Sequence, residues 1–198
     1  MGSKAFGGRR VGRTEVPALV DSLLADLCLA EIPHQIAGSF RRCLPDCTEI
    51  DLVLIPKDAQ RLQVKDAIKR AFGRLKAKDE PRLSGIYEGA LFDLHVVDLD
   101  RLGSMMLHAT GSWQFNKLMR SRAMAKGWKL NKFGLFEPHS GESVLQSSDE
   151  AAFFAVLEMP YIETEDRSQG HEFGLKSLTD PDRMCKYRLV EDGWKIVG

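Results

Sequence analysis

The chain has 198 residues, of which 43% are hydrophobic and 28% are charged, and its 28 basic and 28 acidic side chains leave no net charge. This composition excludes disordered, collagenous and membrane-spanning chains, and predicts one globular domain or two small ones. The four cysteines form no Cys-x-x-Cys pair and the N-terminus has no secretory apolar region. We therefore expect reduced thiols in a protein that is not secreted.

Residues 1–13 carry four basic and four glycine residues and no acid, which predicts a mobile basic arm. From Thr14 an apolar stripe at helical spacing predicts a helix. Strands are predicted at 35–37, 50–55, 83–87 and 90–97, with an amphipathic helix between the second and the third. Residues 14–103 are thus expected to form a mixed sheet backed by helices, the first domain of an α+β protein.

The second half of the chain is predicted to be mainly helical. Helices are expected at 101–109 and 112–126, followed by a short hairpin around Asn131 and Gly134. A further helix is expected at 149–157, with Ser148 as its N-cap. These elements predict a small subdomain over 104–167, followed by a polar tail at 168–198 that ends in a hairpin.

A cationic block lies within this second half. Residues 104–136 include six basic and no acidic side chains. The basic residues alternate with aromatic ones: Lys117, Arg120, Arg122, Lys126, Lys129 and Lys132 with Trp113, Phe115, Trp128 and Phe133. This mixture is typical of surfaces that contact phosphates and bases, although charge spacing alone equally describes a solvated helix face.

The candidate catalytic residues lie on the predicted sheet. Gly38-Ser39 follows a strand and precedes a short helix, an arrangement that offers backbone N–H groups to phosphate. Alternation places Glu49 and Asp51 on one strand face, and Asp93 on the matching face of a later strand. Three carboxylates on rigid strands fit a pair of Mg²⁺ ions for phosphoryl transfer. His95 shares the face of Asp93, and we expect it to form a hydrogen bond there rather than bind Mg²⁺.

These motifs resemble a known family. GSFRR, then EID, then FDLHVVD is similar to the nucleotidyltransferase signature, and LHATGSWQFNKLMRSRAMAKGWKLNKFGLF and FFAVLEMPYIETEDR resemble the family X DNA polymerases, the group of DNA polymerase beta. The resemblance covers residues 33–167. It implies a palm followed by a C-terminal nucleotide-binding subdomain, the organisation of the minimal viral members. The implied activity is DNA-directed DNA synthesis that fills short gaps during repair.

The resemblance also implies roles for individual residues. Glu49, Asp51 and Asp93 would be the catalytic and metal-binding carboxylates, for two Mg²⁺ ions or for Mn²⁺. The incoming dNTP, or an rNTP, would be bound by Gly38, Ser39, Arg42, His108, Gly111, Ser112, Trp113 and Asn116. Gapped or primer-template DNA would contact Lys117, Arg120, Lys129 and Lys132. We expect a monomer that is cytoplasmic or nucleoid-associated and does not bind membranes.

Departures from the family pattern keep an alternative open. Glu49 stands where the family usually has Asp, as in archaeal CCA-adding enzymes, and His108-Ala109 replaces an aromatic pair that crowds the sugar 2′-hydroxyl. Leu91 replaces an arginine near the third acid. Glu49 and the missing aromatic pair are compatible with a template-independent nucleotidyltransferase acting on single strands or RNA ends, whereas the intact carboxylates argue against an inactive nucleic-acid-binding relic.

Overall fold

The computed structural model describes residues 8–72 and 83–167, together with two strands near the C-terminus. The chain divides into two compact units, Met1–Asp98 and Leu99–Gly198, which we call the first and the second unit. Within the described residues, no helix is both long and apolar enough to cross a bilayer.

A four-stranded mixed sheet organises the first unit. Its strands are β2 (His34–Ile36), β4 (Ile50–Leu54), β5 (Leu83–Tyr87) and β6 (Ala90–Val96). They lie in the order β2-β4-β6-β5, in which β4 and β6 are parallel and the outer pairs are antiparallel. The helices are α1 (Val16–Asp26), α2 (Gly38–Arg41) and α3 (Asp58–Phe72). The mixed sheet with its helices confirms the predicted α+β class.

Burial in the first unit follows the period of each element. Alternate residues in the middle of the central strands are buried, namely Ile50, Leu52, Phe92 and Leu94. They join one apolar cluster with the stripes of α1 and α3, which include Leu23 of α1. Burial of these stripes against the sheet is what makes the two helices stable, since isolated helices of this length are marginal in water.

The beginning of the described chain differs from the expected mobile arm. Val11–Gly12 forms a short strand, β1, that pairs antiparallel with β3 (Asp46–Cys47). Val11 is buried in the apolar cluster, and Arg9 forms an ion pair with Glu15 at 3.0 Å. The buried Val11 and local ion pairs therefore hold residues 8–13 in place. The high glycine and arginine content of this segment gives no sign of that order in the sequence. Residues 1–7 lie outside the described residues.

The second unit combines helices with a small antiparallel sheet. Its helices are α4 (Leu102–Thr110), α5 (Trp113–Ala125) and α6 (Ala151–Val156). A 3-10 turn at Leu99–Arg101 precedes α4, and another at Glu165–Arg167 follows α6. The strands are β7 (Lys129–Asn131), β8 (Gly134–Phe136) and β9 (Ser143–Leu145), in that order. Helix and strand residues share one apolar cluster, which includes Phe115, Leu135 and Phe154.

Two local predictions for the second unit were incomplete or wrong. Strand β9 was not predicted, because its exposed residues show no alternation of apolar and polar side chains. Helix α6 begins at Ala151 rather than at 149, and the Ala151 N–H donates to the Asp149 carboxylate at 2.8 Å. Asp149, rather than the predicted Ser148, therefore satisfies a free N–H at the start of this helix.

Two further strands lie in the stretch where the sequence predicts a terminal hairpin. They are β10 (Tyr187–Val190) and β11 (Gly193–Ile196), paired antiparallel with Leu189 opposite Trp194. The remainder of the predicted polar tail, residues 168–186, 191–192 and 197–198, lies outside the described residues.

Candidate active site

Two carboxylates lie side by side on the central strands of the first unit. The parallel pairing of β4 with β6 places Asp51 directly opposite Asp93. Neighbouring strands are about 4.8 Å apart, so residues paired in register bring their side chains together on one face of the sheet. The Asp93 side chain is 6% exposed and that of Asp51 is 12% exposed. The sheet thus concentrates negative charge in a place that is largely shielded from water.

His95 completes a compact group with these two carboxylates. Its Nε2 lies 3.9 Å from Oδ1 of Asp51 and 3.7 Å from Oδ2 of Asp93. One ligand atom from each of the three residues falls within 4.8 Å of the others, an arrangement that could hold a metal ion. Glu49 is half-buried and precedes the first residue of β4. Glu49 is not one of the three residues that form this group.

Gly38 lies directly against the Asp51 carboxylate. Its φ of +61° is in the left-handed region, and a Cβ at this position would overlap with Oδ2 of Asp51. The preceding Ala37 N–H donates to the Asp51 carbonyl at 2.8 Å, which extends the pairing of β2 with β4 up to the turn. A glycine is needed here both for its backbone conformation and for the room it leaves.

Ser39 and Arg42 follow on the one-turn helix α2 and at its end. Ser39 is half-buried, and Arg42 is the C-cap residue. Burial lowers the pKa of the Arg42 guanidinium, and the negative charges of Asp51 and Glu49 oppose that change. The Arg42 guanidinium is therefore a positive charge close to the carboxylates. It would offset the repulsion between these carboxylates and a bound polyanion.

The predicted nucleotide-binding turn of the second unit has an unusual backbone. Gly111 adopts φ 64° and ψ −153°, a region that is essentially restricted to glycine. The Gly111–Ser112 peptide bond is cis. Ser112 then caps α5, since its hydroxyl accepts the Phe115 N–H at 3.3 Å. The turn therefore leads directly into α5 and caps its first residues.

Those first residues present an exposed ring beside a cation. Trp113 is 70% exposed, and the Lys117 ammonium lies 5.6 Å from the centre of its ring. On the same helix, Asn116 donates to the His108 carbonyl at 2.8 Å and the Arg120 guanidinium lies 3.3 Å from Nδ1 of His108. Residues predicted to bind nucleotide and DNA are thus connected to one another by hydrogen bonds between α4 and α5.

The cationic block separates into two groups. Lys117, Arg120 and Lys129 are exposed, and the Lys132 ammonium lies 5.0 Å from the centre of the Phe133 ring. In contrast, Glu158 pairs with Arg122 at 3.8 Å and with Lys126 at 2.7 Å. The charge of the block is therefore partly neutralised, and the four cations predicted to contact DNA are not the ones neutralised by Glu158.

Sequence reasoning missed a buried ion pair, Arg167 with Glu150, next to the Gly111–Ser112 turn. The Arg167 side chain is fully buried and pairs with Glu150 at 2.6 Å, and the Arg167 carbonyl accepts the Ser112 N–H at 3.3 Å. Neither residue had been assigned a role, because nothing in the local sequence distinguishes a buried arginine from a surface one. The only available signal was that the family-like segment FFAVLEMPYIETEDR ends at this residue.

Comparisons with known proteins find sequence similarity in the second unit. Residues 105–168 match the family model of the DNA polymerase beta thumb. A curated protein, DNA polymerase IV of Saccharomyces cerevisiae, is 38% identical over 69 residues, which are 35% of this chain and 11% of that protein. The chain therefore spans only about a tenth of the length of this curated relative.

Solved structures extend the similarity to both units. Polymerase beta of Leishmania infantum in a ternary P/T complex has a TM-score of 0.61 at 22% identity, covering 81% of this chain and 77% of that chain. The ternary gap complex of the same polymerase gives a TM-score of 0.62 at 22% identity, covering 81% and 71%. The fold is that of a polymerase beta, and the predicted resemblance to the family X DNA polymerases is confirmed.

Proposed function

We propose that this relative of the family X DNA polymerases is a DNA-directed DNA polymerase that fills short gaps during repair. In the proposed reaction, a nucleotidyl group passes from a dNTP to the 3′-hydroxyl of a primer. The observation that supports it most strongly is the register of β4 and β6, which pairs Asp51 with Asp93 on one shielded face of the sheet. The thumb match over residues 105–168 supports the choice of nucleic acid as the acceptor.

The residues present fit the divalent ions that this family uses. Two strand carboxylates of low exposure are adjacent, and Gly38 leaves open the space that a Cβ would occupy beside Asp51. Glu49, Asp51 and Asp93 would hold two Mg²⁺ ions, or Mn²⁺, through carboxylate oxygens. When bound, such ions lower the pKa of an attacking hydroxyl and neutralise charge on the leaving pyrophosphate.

The protein's own groups bind and orient the reactants. Asp93, the most shielded of the carboxylates, would receive the primer hydroxyl as a hydrogen-bond donor. The Gly38–Ser39 turn would bind triphosphate oxygens, and the Arg42 guanidinium would offset the repulsion between that triphosphate and the carboxylates. These contacts fix the distance and direction of attack, which is most of what phosphoryl transfer requires of a protein.

The second unit would bind the nucleotide and the DNA. The exposed ring of Trp113 offers a surface on which the base stacks, and Gly111 permits close approach of the backbone to the sugar. Asn116 would contact the minor-groove edge of the base pair with the polar atoms that its bond to the His108 carbonyl leaves available. Because Ala109 replaces an aromatic residue there, we expect ribonucleotides to be accepted.

Lys117, Arg120, Lys129 and Lys132 would contact DNA phosphates. Each contact releases counterions, so the logarithm of the affinity for duplex DNA should fall with the logarithm of salt concentration by about 0.9 per phosphate. With four such cations, we expect low affinity, low processivity and a measurable salt slope in filter binding. An affinity independent of salt would contradict this assignment.

The decisive experiment is primer extension on a one-nucleotide gap, with each deoxynucleotide and ribonucleotide supplied singly. Asp51→Asn and Asp93→Asn should each lower the rate by at least about 1,000-fold, because the charge that holds the metal ions is lost. Asp21→Asn, an exposed change on α1, is the matched control and should leave the rate unchanged. Full activity of Asp51→Asn would contradict the assignment of the site.

The same assay separates the alternative function. Addition that matches the template on gapped DNA supports the polymerase. Addition to a single strand regardless of template supports the template-independent nucleotidyltransferase, which Glu49 and the His108-Ala109 pair allow.

A further inference from the structure

His95 is the one histidine among the described residues that lies close to both central carboxylates. The separations of 3.9 and 3.7 Å between its Nε2 and the oxygens of Asp51 and Asp93 exceed the length of a hydrogen bond. They are nevertheless shorter than about 4.2 Å, the greatest distance between two ligand atoms on one ion with bonds of about 2.1 Å. The ring is therefore better placed to share an ion with the carboxylates than to hydrogen-bond to them.

The strand positions fix this arrangement. His95 follows Asp93 by two residues on β6, so both side chains leave the sheet on the same face. The side chains of Asp51 and His95 are each 12% exposed, which leaves little room for the ring to rotate into water. In contrast, His34 on β2 has its Nδ1 3.0 Å from the Ile32 carbonyl, so a backbone group already satisfies one of its ring nitrogens.

Donor chemistry then determines which ion the group favours. Carboxylate oxygens suit Mg²⁺, whereas an imidazole nitrogen suits transition metals and adds little for Mg²⁺. We propose that His95 is a third ligand, through Nε2, of an ion held by Asp51 and Asp93, and that it shifts the preference of the site from Mg²⁺ toward Mn²⁺ and Co²⁺. This inference rests on the proposed function, because it concerns a metal ion at the same carboxylates. It replaces the hydrogen-bonding role expected for His95 from the sequence.

The test uses the full chain and measures metal binding rather than turnover. Mn²⁺ is added to the wild-type protein, and pulsed electron paramagnetic resonance detects whether a nitrogen nucleus is coupled to the bound ion. We expect a directly coordinated imidazole nitrogen in the wild type and none in His95→Gln, which replaces the nitrogen donor with an amide oxygen. His34→Gln is the matched control on the same sheet and should keep the nitrogen coupling.

Calorimetry gives a second readout. In His95→Gln and His95→Ala, the affinity for Co²⁺ should fall by about tenfold or more, while the affinity for Mg²⁺ should change by less than about threefold. Circular dichroism shows whether each variant remains folded. Glutamine is polar and similar in length to histidine, so His95→Gln still tests the metal affinity even if His95→Ala unfolds.

Two outcomes would overturn the inference. Mn²⁺ bound without nitrogen coupling in the wild type would show that His95 is not a ligand, and an equal loss of Co²⁺ and Mg²⁺ affinity in His95→Gln would show no selectivity. Either result leaves the polymerase proposal standing, provided that Asp51→Asn still abolishes gap filling. If Asp51→Asn neither weakens Mn²⁺ binding nor lowers activity, the site itself is wrongly assigned and both proposals fail.

Discussion

In the first unit, helices and a sheet enclose aliphatic side chains and Phe92, whereas in the second unit three aromatic rings surround a guanidinium. Among the described residues of the first unit, Asp93 is the only buried charged residue. It lies on the sheet face that carries His95 and does not belong to the apolar cluster. In the second unit, Arg167 is 0% exposed and Glu150 is 7% exposed. The first unit thus keeps charge out of its core, and the second unit builds a core around it.

The Arg167 side chain has partners on every side. Its guanidinium carbon lies 4.9, 5.2 and 5.3 Å from the ring centres of Phe115, Phe154 and Tyr161. It also donates to the Ile162 carbonyl at 2.9 and 2.6 Å, in addition to its pair with Glu150. A buried ion pair adds little net stability relative to apolar residues, but losing one partner is strongly unfavourable. We infer that this pair gives the second unit a fixed arrangement of side chains rather than added stability.

The largest expected effect comes from removing the buried cation. Arg167→Met leaves the Glu150 carboxylate buried without its partner and should lower the free energy of unfolding of the second unit by about 3–5 kcal/mol. All three tryptophans of the chain belong to the second unit, so tryptophan fluorescence during urea denaturation reports on that unit. Unfolding of the first unit is followed separately by hydrogen exchange.

Two further variants sharpen this test. Arg70→Met, an exposed change on α3, should leave the urea midpoint unchanged. The double variant Arg167→Met/Glu150→Leu removes both charges and should recover much of the lost stability. If Arg167→Met proved as stable as the wild type, the contrast between the two cores would be wrong.

A smaller effect on stability, with a large effect on activity, is expected at Gly38. Alanine at this position has an unfavourable positive φ and overlaps with the Asp51 carboxylate, which together should destabilise the first unit by roughly 1–3 kcal/mol. In the proposed site Asp51 holds the metal ions, and displacing such a carboxylate by about 1 Å can lower a rate about 100-fold, so the proposed gap filling should fall by that factor. Primer extension and hydrogen exchange measure the two effects.

Gly141→Ala is the control for the backbone effect alone. Gly141 also has a positive φ, of 73°, but a Cβ there meets nothing within 4 Å. Its variant should be slightly destabilised and fully active. Equal activity of the two variants would show that the approach of Gly38 to Asp51 is unimportant.

The smallest effect concerns the exposed ion pairs of the second unit. The hydrogen bond from Lys126 lowers the pKa of Glu158, as do the charges of Lys126 and Arg122. Because the folded-state pKa lies below the usual value of 4.5, the stabilisation is present above that value and is lost as the pH falls through the folded-state pKa. Urea midpoints at about pH 6.5 and about pH 3.5 should therefore differ slightly more in the wild type than in Glu158→Gln. A steeper pH dependence in Glu158→Gln would contradict the direction of the shift.

The sequence predicted the longer elements of the first unit, α1, α3, β4, β5 and β6, because each is longer than one period of its pattern. The alternation through Asp51 and Asp93 predicted both the buried and the polar face, and the order of the motifs carried the resemblance to the family X DNA polymerases. The same alternation was also used to place Glu49 beside Asp51, but Glu49 precedes the first residue of β4, where the period of the strand does not apply. Its position relative to the other carboxylates stays a prediction.

Other features depend on contacts between distant residues, which no local pattern encodes. The short strand at Val11 depends on pairing with Cys47, and β9 depends on pairing with β8. The burial of Arg167 depends on rings contributed by α5, by α6 and by Tyr161. From the sequence alone, each of these segments looks like a polar loop.

The parallel pairing of β4 with β6 has a consequence for how this protein tolerates change. Main-chain hydrogen bonds, rather than the identities of neighbouring side chains, set the spacing of Asp51 and Asp93. Aliphatic residues behind the sheet can therefore be exchanged for one another over evolutionary time while the two carboxylates remain opposed. Such substitutions should change the melting temperature of the chain well before they change the chemistry on the other face.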